Sequence, residues 1–242
     1  MAEKSLGLIP ALILAAGIAA AGFAVGEGVQ RFRTADRTVT VKGLAERDVE
    51  SDYAVWRLSF RRADDDFARV QSSLSSDREK VITHMRGLGF TDDEIEVRPI
   101  LVEDRYARDY ASSDQPFRFS GQGQVVIKSA RVEVVEQATN GVDPLIEAGV
   151  QLSSGYDGTL GGPDYQLRGF NEIKPALLAD ATANARDQAQ RFAADAGAAL
   201  GKLRSANQGV IQVFDSDGNE HSSGSTRQKR LRVVSTFVFD LQ

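Results

Sequence analysis

Hydrophobic positions follow three regimes along the chain. From Leu6 to Gly26 they are nearly continuous, and no ionisable side chain lies between Lys4 and Glu27. From Thr38 they alternate with polar residues: Val39, Val41 and Leu44 first, then Ala54, Trp56, Leu58 and Phe60 on one face with Val55, Arg57, Ser59 and Arg61 on the other. A period of two with one polar face marks half-buried strands of the kind used in antiparallel sheets. Elsewhere the spacing lengthens to three, four and seven. Phe67, Val70, Leu74, Val81, Met85 and Leu88 trace an amphipathic helix. Asp64 to Asp66 open it, with acids at the positive end of the dipole and an N-cap, and Gly87 and Gly89 close it.

The same reading carries on to the C-terminus. Asp92 to Val102 predicts a strand with Pro99 at an edge, and Arg105 to Gln115 a polar loop. Phe117, Phe119, Val125 and Ile127 predict a strand in which Gly121 and Gly123 mark a bulge. Val132, Val135, Ala138, Val142, Leu145 and Ile146 give a second helix, and Val150 to Tyr156 and Tyr165 to Phe170 are extended. A third helix runs from Glu172 or Pro175 to Leu200 on a stripe of Leu178, Ala181, Ala185, Ala189, Phe192 and Ala196, with Gly201 as its stop. Strands over Ala206–Phe214 and Arg230–Leu241, joined by the loop 215–228, complete the chain. The expected fold is α+β: antiparallel sheets of about eight strands with three main helices, preceded by one N-terminal transmembrane helix.

The apolar leader sets the expected organisation. At about 1.5 Å per residue, positions 6–26 would span roughly 31 Å, close to the hydrocarbon thickness of a bilayer. Residues 1–34 therefore read as an anchor, or an uncleaved signal, with a short linker; residues 35–242 form the α+β domain; the lipid bilayer is the partner of residues 6–26. A cleaved signal stays open, because Ala19 and Ala21, or Gly22 and Ala24, satisfy the small-residue rule of the peptidase. Against it, the apolar run exceeds the usual signal core. Arg31, Arg33, Arg37 and Lys42 follow the run while Lys4 alone precedes it, a bias toward a cytoplasmic C-terminal domain. Gly22 and Gly26, with Gly17 and Ala21, form small-residue rows that let helices approach closely.

Composition removes whole classes of chemistry. The 242 residues contain no cysteine, so disulfides, thiolate metal sites and cysteine nucleophiles are excluded. His84 reads as a surface histidine off the α-helical stripe. His221 lies in a polar loop that supplies too few fixed ligands for a metal. Asp92, Asp93, Glu94 and Glu96 read as solvated acids rather than a general acid/base pair. Asp215-Ser216-Asp217-Gly218-Asn219-Glu220 begins like a calcium loop but has Thr226 where the twelfth-position Glu is needed. The glycine-rich run Gly158-Thr159-Leu160-Gly161-Gly162 precedes no helix that would cradle phosphate. Arg227, Lys229, Arg230 and Arg232 read as a solvated strand face on a chain of net charge −5, and nucleic acid is not an expected partner. No catalytic, cofactor-binding or metal-ligating residue is assigned, and no cofactor is expected.

Several short segments stand in a set order and spacing: Val39-Thr40-Val41-Lys42-Gly43-Leu44-Ala45-Glu46-Arg47, Leu58-Ser59-Phe60, Asn171-Glu172-Ile173-Lys174-Pro175, Ala181-Thr182, Asn184-Ala185-Arg186, Phe192-Ala193, Gly201-Lys202-Leu203, Asn207-Gln208-Gly209 and Arg232-Val233-Val234-Ser235-Thr236. Together they resemble the SIMPL-domain family of bacterial envelope proteins. The resemblance implies an α+β fold, a soluble domain in the periplasm on a single-pass inner-membrane anchor, homo-oligomers and a part in envelope or oxidative-stress defence. It brings no catalytic residues. Gly43 is expected at a bulge or turn, Pro175 in a first helical turn and Arg186 as an exposed or interface cation. Two functions follow as expectations: a membrane-anchored, self-associating envelope protein with a structural or stress-protective role, or a periplasmic ligand-binding module or enzyme drawing on scattered residues such as Asp164, Glu172 and Arg186.

Overall fold

A computed structural model describes residues 8–34, 37–107, 116–153, 161–217 and 224–242, with the side chains of 12–26 in the first stretch. Five α-helices are present among them: α1 Leu8–Thr34, α2 Phe67–Gly87, α3 Val132–Thr139, α4 Asp143–Glu147 and α5 Phe170–Asp195. The nine strands are β1 Thr38–Glu50, β2 Tyr53–Asp64, β3 Ile95–Val97, β4 Leu101–Asp104, β5 Phe119–Ser129, β6 Asp164–Gln166, β7 Leu200–Asn207, β8 Ile211–Asp215 and β9 Gln228–Leu241. They form two antiparallel sheets, β1-β9-β7 with β8 also on β9, and β3-β5-β2-β6 with β4 also on β5.

The expected transmembrane helix is not supported: among the described residues no helix is both long and apolar enough to cross a membrane. After α1, the three expected main helices become four. The second breaks at Asn140–Val142, where Gly141 intervenes and Pro144 opens α4 at its first turn. Helix α5 stops at Asp195 rather than Leu200, because Gly197 takes a left-handed φ of 66° and Ala198 N–H donates to Ala193 C=O at 2.9 Å. Gly201 consequently stands inside β7, and the strand expected over 206–214 is two strands separated by Gln208–Val210.

The chain divides into two compact units, one of residues 1–45, 176–211 and 233–242, the other of 46–175 and 212–232. In the first, α5 buries Leu177, Ala181, Ala185, Ala189 and Ala193. Ala185 and Ala189 form a cluster with Val41, Phe237 and Phe239. Phe192, expected on the inner stripe, is 56% exposed. Gly43 is neither bulge nor turn. A Cβ there would lie 2.0 Å from the Ala181 carbonyl oxygen, so glycine lets strand and helix backbones meet.

In the second unit β2 and β5 pair without interruption from Ala54↔Ser129 to Asp64↔Phe119. The bulge expected at Gly121 and Gly123 is therefore absent. A Cβ on Gly123 would stand 2.4 Å from the Phe60 ring, and one on Gly121 2.7 Å from Leu74, so both glycines make room for core side chains. Helix α2 starts as its sequence predicts: the Asp66 side chain accepts from Arg69 N–H at 3.1 Å. Its Val70, Leu74, Val81 and Met85 fill the core with Trp56, Leu58, Phe60, Val125 and Ile127. Asp52 accepts from the N–H groups of Arg168 at 2.7 Å and Gly169 at 2.5 Å, satisfying backbone donors just ahead of α5.

Candidate functional site

The most enclosed ionic group of the second unit joins β8 to β9. Along β9 the buried parity runs Lys229, Leu231, Val233, Ser235, Phe237 and Phe239, so a lysine falls on the apolar face. Its ammonium donates to Asp215 Oδ1 at 2.5 Å, and both side chains are 0% exposed. The same oxygen accepts from Thr226 N–H at 3.3 Å and Thr226 Oγ1 at 3.2 Å, while Oδ2 accepts from Ser225 N–H at 2.9 Å and Ser225 Oγ at 2.6 Å. A buried carboxylate persists only when paired and fully hydrogen-bonded, and this one is. With both oxygens hydrogen-bonded, Asp215 ties Ser225, Thr226 and Lys229 to the end of β8. The solvated reading of Lys229 is corrected accordingly. Its parity within the strand was the signal available in the sequence.

A second buried acid was also missed. Asp77 occupies the inner stripe of α2, seven residues after Val70 and four before Val81, and is 1% exposed. Arg62 meets it with a two-pronged guanidinium, Nε to Oδ2 at 2.6 Å and Nη2 to Oδ1 at 2.8 Å, and also donates to the Gly149 carbonyl. That partnership raises the Arg62 pKa further above its ordinary value.

The acids Asp92, Asp93, Glu94 and Glu96 sit at the start of β3 in partly or fully exposed positions, as read. Arg86 pairs with Asp92 at 2.8 Å, and Arg98 and Lys128 both pair with Glu96. Glu94 is gripped by the Arg131 guanidinium, with Ser129 Oγ and Thr91 adding hydrogen bonds, which holds its carboxyl down to about 2. Arg227 reaches Glu50, Glu133 and Glu136, the last at 3.2 Å, Arg230 pairs with Asp48 at 2.8 Å, and Arg232 with Glu46 at 3.4 Å. The basic run thus forms a ladder with the acids of β1 and α3.

His84 is half-buried rather than on the open surface, its Nε2 2.7 Å from the Gly141 carbonyl. Of the scattered acid/base candidates, Asp164 accepts from Gln166 Nε2 at 2.8 Å, Glu172 lies in the first turn of α5, and Arg186 stands over the Phe239 ring at 5.7 Å. The first two belong to the second unit and Arg186 to the first. His221, residues 218–220 and Gly158 to Leu160 lie outside the described residues. Among the described residues no group of three His, Asp or Glu side chains could hold a metal ion.

Among the described residues, two exposed surfaces stand out. One is α1, on which Leu12, Ile13, Leu14, Ile18, Phe23 and Val25 are 66–76% exposed. The other is the outward face of β2 and β5, where Ser59, Gln122 and Gln124 border a depression of about 380 Å³ together with Arg98, Pro99 and Leu101. A family model described as SIMPL, a protein of unknown function, matches residues 39–233. The chain belongs to the SIMPL family. Several residues that carried the resemblance do mechanical work in this SIMPL protein: Gly43 admits α5, Asn184 Oδ1 accepts from Leu44 N–H at 3.2 Å, and Gly209 lies so near Val234 that a Cβ would come within 1.9 Å of its carbonyl oxygen. No curated protein matches the chain.

Proposed function

We propose that this SIMPL protein is a self-associating protein of the cell envelope with a structural or stress-protective role, and that copies meet through α1. One observation carries the reading. Leu14, Ile18 and Val25 recur at spacings of four and seven on one stripe of α1, each about two-thirds exposed, and none of the described residues covers them. Ala21 falls on the same stripe, and Gly17, Gly22 and Gly26 have nothing within 4 Å of where a Cβ would be, so a second helix can approach closely. The ionic groups described above are engaged in holding elements together, which favours a scaffold over a reaction centre.

Sedimentation velocity of the purified full chain over a concentration series tests this. The expected result is a concentration-dependent oligomer that Ile18→Glu with Val25→Glu converts to monomer while the melting transition is retained. A monomer throughout, an oligomer untouched by the double substitution, or flotation of single copies with phosphatidylglycerol vesicles would each overturn it.

A further inference from the structure

We propose that the outward face of β2 and β5 is a binding site for an acidic saccharide, a sugar bearing a carboxylate or phosphate. The strand period and the register decide who stands there. Arg57, Ser59 and Arg61 project on one face of β2, opposite Val126, Gln124 and Gln122 of β5. Glu96 lies beside Val126, and Leu101 beside Gln122, from the neighbouring strands β3 and β4.

Arg57 and Arg61 are singular. Both are exposed, and among the described residues neither makes a side-chain hydrogen bond, ion pair or ring contact. Other arginines of this unit behave differently: Arg62, Arg98, Arg118, Arg131, Arg227 and Arg230 are each bound to a carboxylate. On a chain of net charge −5, two uncommitted guanidinium groups on one strand face, about 13 Å apart at Cα, make a local positive field that nothing in the described chain neutralises. Glu96 does not, because Arg98 and Lys128 hold it already. Guanidinium groups free of partners suit carboxylate or phosphate oxygens, which they grip with paired N–H donors.

The groups between the two arginines select the rest of the ligand. Gln124 donates from Nε2 to Ser59 Oγ at 3.0 Å, leaving its amide oxygen and the side chain of Gln122 to exchange hydrogen bonds with hydroxyls. Pro99 and the 62%-exposed Leu101 form an apolar shelf at the margin, suited to the C–H face of a pyranose. The depression, about 380 Å³ and in the size range of small-ligand sites, is lined by Ser59, Gln122 and Gln124 rather than by the two arginines, which flank Ser59 along β2 on the same face. The site lies in the other unit from α1 and is independent of self-association through that helix.

Amide NMR titration of the full chain with four probes tests it: glucuronate, glucose 6-phosphate, methyl glucoside and inorganic phosphate. Both acidic sugars should shift the amides of residues 57–61 and 122–124, with salt weakening the effect. Arg57→Gln with Arg61→Gln, both on exposed side chains, should preserve the spectrum and melting point while weakening each acidic sugar by about tenfold or more. Gln122→Ala should weaken the acidic sugars without altering phosphate. The proposal falls if no probe shifts these amides at tens of millimolar, if methyl glucoside binds as well as the acids, if phosphate alone matches both sugars, or if the double arginine variant still binds normally.

Discussion

In the first unit α5 turns Ala181, Ala185, Ala189 and Ala193 inward and the sheet answers with Gly43 and Val41, whereas the second unit is filled by Trp56, Leu58, Phe60, Leu74, Met85 and Ile127. The contrast separates two ways of making a dry contact. Small residues gain stability by letting backbones close on one another, so every added atom is an intrusion. Large residues gain it by filling volume, so every deleted atom is a cavity. The polar content differs in the same sense. The large-residue unit contains buried charged pairs, Asp77 with Arg62 and Asp215 with Lys229, that tie β2 to α2 and β8 to β9.

The largest effect expected from breaking this comparison is on the second unit. Leu74→Ala should cost about 3–5 kcal/mol, measured by denaturant unfolding, because a fully buried side chain leaves a hole against Gly121 and the β2–β5 pair. Asp215→Ala should cost about as much, roughly 3–5 kcal/mol, by stranding a buried ammonium, whereas Asp215→Leu combined with Lys229→Met should recover most of the loss. If the single and double variants are equally unstable, the pair is not what holds β8 to β9. Next comes addition in the first unit. Gly43→Ala should destabilise by about 1–3 kcal/mol although it adds one methyl group, since that methyl meets the Ala181 carbonyl. A neutral outcome would mean that α5 does not press on β1.

The smallest effect concerns acid. Glu94 titrates near 2 in the fold against an ordinary 4.5, so its contribution is complete above about 4.5 and is lost as pH falls from there toward 2. The melting temperature of Glu94→Gln should therefore lie below that of the parent at pH 6 and converge on it near pH 2. The gap corresponds to about 1 kcal/mol or less, as befits a pair open to solvent. A gap that widens on acidification would reverse the assignment.

Much of the second unit was legible because its elements are strongly periodic. The β2 alternation and the α2 stripe each bury one face, and the Asp66 cap is local chemistry. The first unit was harder to read. An alanine stripe looks the same whether it faces solvent or a strand, and Phe192 drew the inner face of α5 one position away from where the Gly43 contact places it. Gly121 and Gly123 carried a real constraint with the wrong cause attached, since a glycine in a strand signals either a bulge or a bulky neighbour and only the Phe60 and Leu74 side chains distinguish the two. The site residues followed the same division. Asp92 to Glu96 were readable as surface acids, but Lys229 was classed by charge and Asp77 passed over when their positions in the pattern placed them inside.

By itself the sequence determined the antiparallel α+β character, the places where most elements begin, the absence of thiol chemistry and membership of the SIMPL family, because periodicity, caps and motif order are local properties of the chain. Tertiary structure alone decided that α5 closes on Gly43, that Asp215 and Lys229 neutralise each other away from water, and that Arg57 and Arg61 have no carboxylate partner among the described residues. Each of these depends on which segment the fold brings opposite a given residue, whether Gly43 against Ala181 from the far side of the chain or Asp215 against Lys229 from the neighbouring strand.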